Sequence, residues 1–111
     1  MSITTTIEEL TAQGAFFEVC ETATARGTLP GFKHAPQTLT EIIQNARGHG
    51  DLNFIVSGDT RLSFAEFFAR ADTLRAFLES EGMKSGARFA IAMRHNAEWL
   101  IGFTAAFLAG A

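Results

Sequence analysis

Cysteine is almost absent from this chain. A single thiol, Cys20, among 111 residues excludes an intramolecular disulfide and suits a reducing compartment, so a cytoplasmic location is expected. Basic runs are absent as well. Nine Lys and Arg stand against 12 Asp and Glu, giving a formal charge of -3, and this balance excludes the electrostatic footprint of a nucleic-acid or acidic-membrane partner. The opening M-S-I-T-T-T-I-E-E-L has neither the basic nor the apolar region of a secretory signal. No long hydrophobic run occurs. The most apolar segment, Trp99 to Ala111, is shorter than the ~20 residues that span a bilayer and carries Gly102 and Thr104, so stable membrane insertion is not expected.

What is present fits a globular chain. Hydrophobic residues make up 47% and charged residues 19%, which argues against wholesale disorder. A chain of this length is one domain at most and buries roughly two-thirds of its unfolded surface.

The chain opens with a short helix expected at Ile7 to Leu10, stopped by Gly14. Phe16 to Thr22 and Thr28 to Phe32 then read as a hairpin turning at Arg26-Gly27, with Pro30-Gly31 demoting the return run to an edge or irregular strand. Pro36 ends this arm. Thr38 and Glu41 have the spacing of a capping box ahead of Leu39, Ile42, Ile43 and Ala46, so a short amphipathic helix follows, ending in Arg47-Gly48-His49-Gly50. Asn53 to Ser57 and Thr60 to Leu62 form a second hairpin around Gly58-Asp59.

The strongest local signal comes next. Ser63 and Glu66 form a capping box, and Phe64, Phe67, Phe68, Ala71, Leu74 and Leu78 fall at helical spacing, with Asp72, Arg75, Glu79 and Glu81 between them toward solvent. Gly82 closes that helix. Arg88 to Met93 is too short for a helix and too apolar for a two-faced strand, and therefore reads as a central parallel strand covered on both sides. Asn96 caps a last helix bearing Trp99, Phe103, Ala106 and Phe107 on one stripe, with Leu100, Ile101 and Leu108 elsewhere around it, so most of its circumference must be covered. Helix, strand and helix here make half of a β-α-β unit. The second strand lies outside the sequence, and the chain is expected to be incomplete.

From Leu62 to Ala111 the series L-S-F-A-E-F, amphipathic helix, G-M-K-S-G-A-R-F-A-I-A-M-R-H-N-A-E-W, apolar helix and A-G-A resembles the N-terminal region of the adenylate-forming superfamily. That superfamily includes acyl- and aryl-CoA synthetases, luciferases and the adenylation domains of peptide synthetases. The stretches L-T-A-Q-G-A-F-F-E-V at Leu10 to Val19 and H-A-P-Q-T-L at His34 to Leu39 are similar to the leader of the CoA-ligase branch. Two positions depart from the family pattern. Ala87 stands where G-D-R has its aspartate, and Ala97 where a proline is common before E-W.

The resemblance implies an α/β fold in which residues 1–37 are an N-terminal hairpin arm. Residues 38–111 would be the start of the large AMP-binding domain, with helices packed on a nascent parallel sheet. It implies for the full-length enzyme a cytoplasmic ligase that activates a small carboxylic acid with ATP and Mg2+ and transfers the acyl group to coenzyme A. The family's phosphate loop, adenine and ribose contacts and mobile-domain lysine would lie beyond Ala111. No catalytic, cofactor-binding or metal-binding residue is therefore assigned within this chain, the piece alone is expected to be inactive, and its partner is the remainder of its own large domain.

The residues that mimic a site read as structural. Gly82-Met83-Lys84-Ser85-Gly86 mixes glycine, lysine and serine, but a phosphate loop runs from strand to helix, the reverse of the order here. Gly48-His49-Gly50 lies outside any strand-to-helix turn. His34, His49 and His95 lack a second ligand at metal spacing. His95 is the one worth following, since it comes after the C-terminal end of the expected parallel strand, where open α/β sheets bind ligands. Cys20 has no base nearby in sequence, and Glu8-Glu9 and Glu79/Glu81 read as solvated charge. Trp99 and Phe64, Phe67 and Phe68 read as core contacts.

A second class of function fits the same elements. A stand-alone, non-enzymatic α/β domain would dimerise or bind a partner through its last apolar helix, because an uncovered helix of this kind is a large hydrophobic patch. Binding to a membrane surface fits less well, as Arg70 and Arg75 face Glu66, Asp72, Glu79 and Glu81.

Overall fold

A computed structural model describes residues 2–111. The chain forms two compact units that divide between Gln37 and Thr38. The fold is mixed α/β, as the sequence leads one to expect, but both of its sheets are two-stranded and antiparallel.

In the first unit, α1 (Ile3–Thr11) is longer than the periodicity indicates, because Ser2 caps it by accepting a hydrogen bond from the Thr5 amide at 3.2 Å. Strands β1 (Val19–Thr24) and β2 (Gly27–Phe32) form the expected hairpin with a shifted turn. Ala25 and Arg26 occupy the turn, and Gly27, at φ +112°, already pairs with Thr24. Thr24 Oγ1 fixes this geometry, accepting from the Arg26 amide and donating to the Gly27 carbonyl at 2.7 Å. Pro30 stays in the ladder opposite Glu21. The Lys33 amide bonds the Glu18 carbonyl at 2.8 Å, and antiparallel pairs alternate, so Pro30 three residues earlier falls on a pair that needs no N–H.

The second unit begins with α2 (Leu39–Asn45), capped by Thr38 Oγ1 on the Glu41 amide, followed by a 3-10 turn over Ala46–His49 and a reversal at Gly50. Strands β3 (Asn53–Ser57) and β4 (Thr60–Ser63) pair around Gly58-Asp59, with an irregularity between Asn53 and Ile55. Helix α3 (Phe64–Ser80) starts on the full Ser63–Glu66 capping box. Helix α4 (Ala97–Leu108) starts on Asn96, whose Oδ1 accepts from the Trp99 amide at 3.0 Å.

Both long helices end in the same way. The Gly82 and Met83 amides bond the Glu79 and Leu78 carbonyls, and the Gly110 and Ala111 amides bond the Phe107 and Ala106 carbonyls. Each is a Schellman motif with its glycine at positive φ, +96° and +87° respectively. The core gathers Ile55 and Leu62 of the hairpin, Phe67, Phe68 and Ala71 of α3, and Ala97 and Ile101 of α4.

The expected strand at Arg88–Met93 is not formed. The segment carries no regular structure, and among the described residues no backbone–backbone hydrogen bond involves Arg88 to Arg94. A strand exists only when a second strand accepts its ladder, and β3 and β4 pair only with each other. The nascent parallel sheet is thus corrected to an apolar segment without a sheet. The aromatic stripe of α4 also differs from expectation, since Trp99, Phe103 and Phe107 are only half-buried. The buried face consists of Ala97, Ile101, Gly102, Thr104, Ala105, Ala106 and Leu108. Small residues let α3 and α4 approach closely, and Ala71 and Ala105 are fully buried.

Gly110 is constrained twice, by its left-handed φ and by Ser85, whose atoms lie 3.1–3.2 Å from where a Cβ would be. Gly110→Ala is expected to destabilise the fold by about 1–3 kcal/mol in chemical denaturation. Gly48→Ala, which meets nothing within 4 Å and has no positive φ, is the matched control and stays within about 1 kcal/mol of the parent.

Candidate functional site

The residues that resemble a phosphate loop are committed to structure. Gly82 closes α3, Gly86 takes φ +81°, and its amide donates to the Gly110 carbonyl at 2.8 Å while the Ala87 amide donates to Lys84. Amides engaged in this way do not converge on an anion. Gly48 and His49 end the 3-10 turn, where the His49 ring lies 4.7 Å from that of Phe64. His34 belongs to the first unit, its Nε2 3.8 Å from Glu18 Oε2. Cys20 sits on β1 with Thr22 Oγ1 3.9 Å from its sulfur. Glu8 and Glu9 lie exposed on α1, Glu79 pairs with Arg75 at 2.8 Å and Glu81 is the C-cap of α3. Among the described residues no group of three His, Cys, Asp or Glu side chains is placed to hold a metal ion.

His95 lines a cleft of about 490 Å³ between β3 and the first turn of α4. Ile55, Val56, Trp99 and Leu100 make it apolar, and His95 and Asn96 are among its polar contributors. The His95 ring packs edge-on against Trp99 at 5.4 Å, and Asn96 is occupied as the helix cap. No carboxylate is among the residues lining the cleft. Val56 remains 58% exposed, so the cleft is open to water. It can receive an apolar surface, and it holds no acid–base pair.

Two further grooves flank the unpaired segment. One of about 380 Å³ lies between Phe89–Met93 and Leu74, Ile101 and Gly102. Another of about 130 Å³ lies between Phe89 and Ile91 on one side and Phe103, Ala106, Phe107 and Ala111 on the other.

The polar cluster that sequence reasoning missed is Arg47. Its guanidinium holds both carboxylate oxygens of Asp72 at 2.7 and 2.9 Å, also reaches Gln44, and lies 4.3 Å over the Phe68 ring. Asp72 was expected to face solvent, yet the Arg47 hydrogen bonds hold its carboxyl below the usual aspartate range. In the first unit, Glu18 is the counterpart. It is buried, accepts from Lys33 Nζ at 2.8 Å and the Gly14 amide at 2.9 Å, and its carboxyl is likewise lowered by those two bonds, Lys33 first.

The arrangement of capped helices and hairpin in residues 38–111 is that of a mixed α/β protein whose apolar surfaces outnumber its chemical groups. The family model described as AMP-binding enzyme matches residues 42–111, more than half of the chain, and the chain belongs to that family, the adenylate-forming enzymes. No curated protein and no solved structure matches it. Among the described residues no helix is long and apolar enough to cross a membrane.

Arg47→Ala is expected to cost about 1–2 kcal/mol, since it removes both the ion pair and the contact with Phe68. Asp72→Asn costs less than about 1 kcal/mol, because the Asp72 side chain is 46% exposed and screened. The folded pKa of Asp72 is depressed, so the pair's contribution is present above the unfolded value of 3.8 and is lost as pH falls through the folded value. Urea titrations should therefore show the gap between parent and Asp72→Asn closing as pH is lowered from about 6 to below about 3.

Proposed function

We propose that the protein is an ATP-dependent acid–CoA ligase and that residues 1–111 are its leading section. The match to the AMP-binding family over residues 42–111 carries this reading. The leader stretches Leu10 to Val19 and His34 to Leu39 favour the CoA-ligase branch over other adenylate-forming enzymes. The enzyme would join a small carboxylic acid to the adenylyl group of ATP, release pyrophosphate and pass the acyl group to the coenzyme A thiol, with Mg2+ as the nucleotide's counter-ion. In this section the residues build the scaffold, and the groups that hold nucleotide, metal and acid come from the remainder of the large domain. Cytoplasmic location accords with the lone, half-exposed thiol of Cys20.

The protein as its own source makes it should have an intact mass several times 12.0 kDa. It should catalyse carboxylate-dependent ATP–pyrophosphate exchange, and consume free CoA thiol in proportion to AMP released. Residues 1–111 alone should catalyse no exchange. Exchange without CoA consumption would keep the adenylate-forming chemistry and overturn the CoA-ligase assignment. A native mass of 12.0 kDa with no exchange would overturn the whole reading.

One observation favours a second reading, a non-enzymatic interaction domain. His95, Trp99, Phe103 and Phe107 form a ladder of rings on the half-covered flank of α4, at centroid spacings of 5.4, 5.4 and 4.6 Å. Such a stripe would make dimerisation obligatory, so a 12.0 kDa native protein that sediments as a monomer at high concentration would dismiss it.

A further inference from the structure

The hairpin of β1 and β2 has two outer edges, and they are not equivalent. The Lys33 amide bonds the Glu18 carbonyl and the turn closes on Thr24 and Gly27, so the hydrogen-bonded pairs are those of Cys20, Thr22 and Thr24. The peptide groups of Val19, Glu21 and Ala23 on β1, and of Thr28, Pro30 and Phe32 on β2, therefore point outward. On the β2 side Pro30 has no N–H to offer, and the Phe32 carbonyl already accepts from the Ala35 amide at 3.2 Å. That edge is closed. On the β1 side Val19, Glu21 and Ala23 present an unbroken row of donors and acceptors on exposed residues, and among the described residues no backbone beyond the hairpin bonds to them.

An open edge accepts a strand, and the side chains along β1 make it complementary to itself. Two strands alone are marginal in water, and β1 laid antiparallel on β1 of a second copy makes four. An outward residue can bond only an outward residue, which leaves registers centred on Cys20, Glu21 or Thr22. The middle register sets Glu21 directly against Glu21 of the partner subunit, an opposition of like charges. The Cys20 register keeps only Val19 to Glu21 within the strand, whereas the Thr22 register keeps Cys20 to Thr24. Centred on Thr22, the pairing puts Glu21 opposite the partner's Ala23 and sets threonine against threonine, a favourable cross-strand pair.

We propose that a second copy of this chain docks on the outer edge of β1, antiparallel and centred on Thr22, so that two hairpins join into one four-stranded sheet. The contact is isologous, each copy giving and receiving the same backbone hydrogen bonds. Its closed counterpart explains why growth stops there, since Pro30 on β2 ends the sheet on both outer sides. The inference goes beyond the enzymatic reading, does not depend on it, and uses a surface other than α4.

Sedimentation velocity on the native-length protein over a range of concentrations tests this, and the parent should dimerise reversibly with a midpoint below roughly 1 mM. Ala23→Pro removes an outward N–H from the open edge and should raise that midpoint at least about tenfold. Thr28→Pro removes an outward N–H from the closed edge of the same hairpin and is the matched control, which should dimerise like the parent. Thr22→Cys in a Cys20→Ser background brings two thiols to a Cα separation of about 4.5 Å. Diamide, taking two electrons and two protons from the thiol pair, should then link the copies through position 22, as read by peptide mass spectrometry. In the parent the two Cys20 Cα atoms would stand about 14 Å apart, so diamide should not join them. A parent that stays monomeric to about 1 mM would overturn the proposal. So would a Cys20–Cys20 bond in the parent, or a dimer that Ala23→Pro leaves intact, the last in favour of another surface such as α4.

Discussion

The inner face of α3 has to serve three neighbours at once, and residues 38–111 take their shape from how it does so. Toward its N-terminal end, Phe67 meets Phe54 of the hairpin edge-on at 4.8 Å, while Phe54 stacks on Phe64 at 4.3 Å. Beyond Phe68 the residue shrinks to Ala71, and α4 can come close enough to bury Ala105 completely. On a third side Arg47 lies over Phe68 and holds Asp72 one turn further along, tying the 3-10 turn to the same helix. Burying a Phe side chain contributes about 1.5–3 kcal/mol, whereas an exposed ion pair contributes about 1 kcal/mol or less. Phe67 and Phe68 therefore set the packing, and Arg47 fixes which turn lies across it.

Features decided within four residues of sequence were legible. The Ser63–Glu66 box, the Thr38 and Asn96 caps and the glycine stops at Gly82 and Gly110 each depend on a side chain or a φ value that acts locally, and each appears where its residues stand. Features that join distant residues were not. Arg47 and Asp72 are 25 residues apart, and nothing in either neighbourhood names the other. The hairpin turn lies at Ala25-Arg26 rather than the expected Arg26-Gly27, because the Thr24 side chain holds it there. The parallel strand failed for a different reason. Its apolar pattern asks for cover on both faces, but strand pairing is a relation between two segments, and β3 and β4 pair only with each other.

The candidate site was legible mainly as structure. Gly82 to Gly86 looked like a loop that turns a chain, and its amides are bonded as such a loop requires. His95 was singled out because it follows the expected strand, and it does line a cleft, one of about 490 Å³. Position alone could not show that this cleft would be apolar and would lack a carboxylate, because its other wall comes from β3, some forty residues earlier.

The same grooves set different demands on the covering surface than composition does. A partner protein that docked on the ring ladder of α4 would satisfy Trp99, Phe103 and Phe107, since apolar burial is indifferent to the source of the covering surface. It would leave the peptide groups of Arg88 to Arg94 beneath it, and a buried amide or carbonyl without a partner costs about 1–3 kcal/mol. Several such groups in a row would exceed what the ring stripe contributes unless the covering element were itself a strand in register. The requirement is narrow. Hydrogen bonding therefore asks for a covering strand, where hydrophobicity alone would accept any apolar surface.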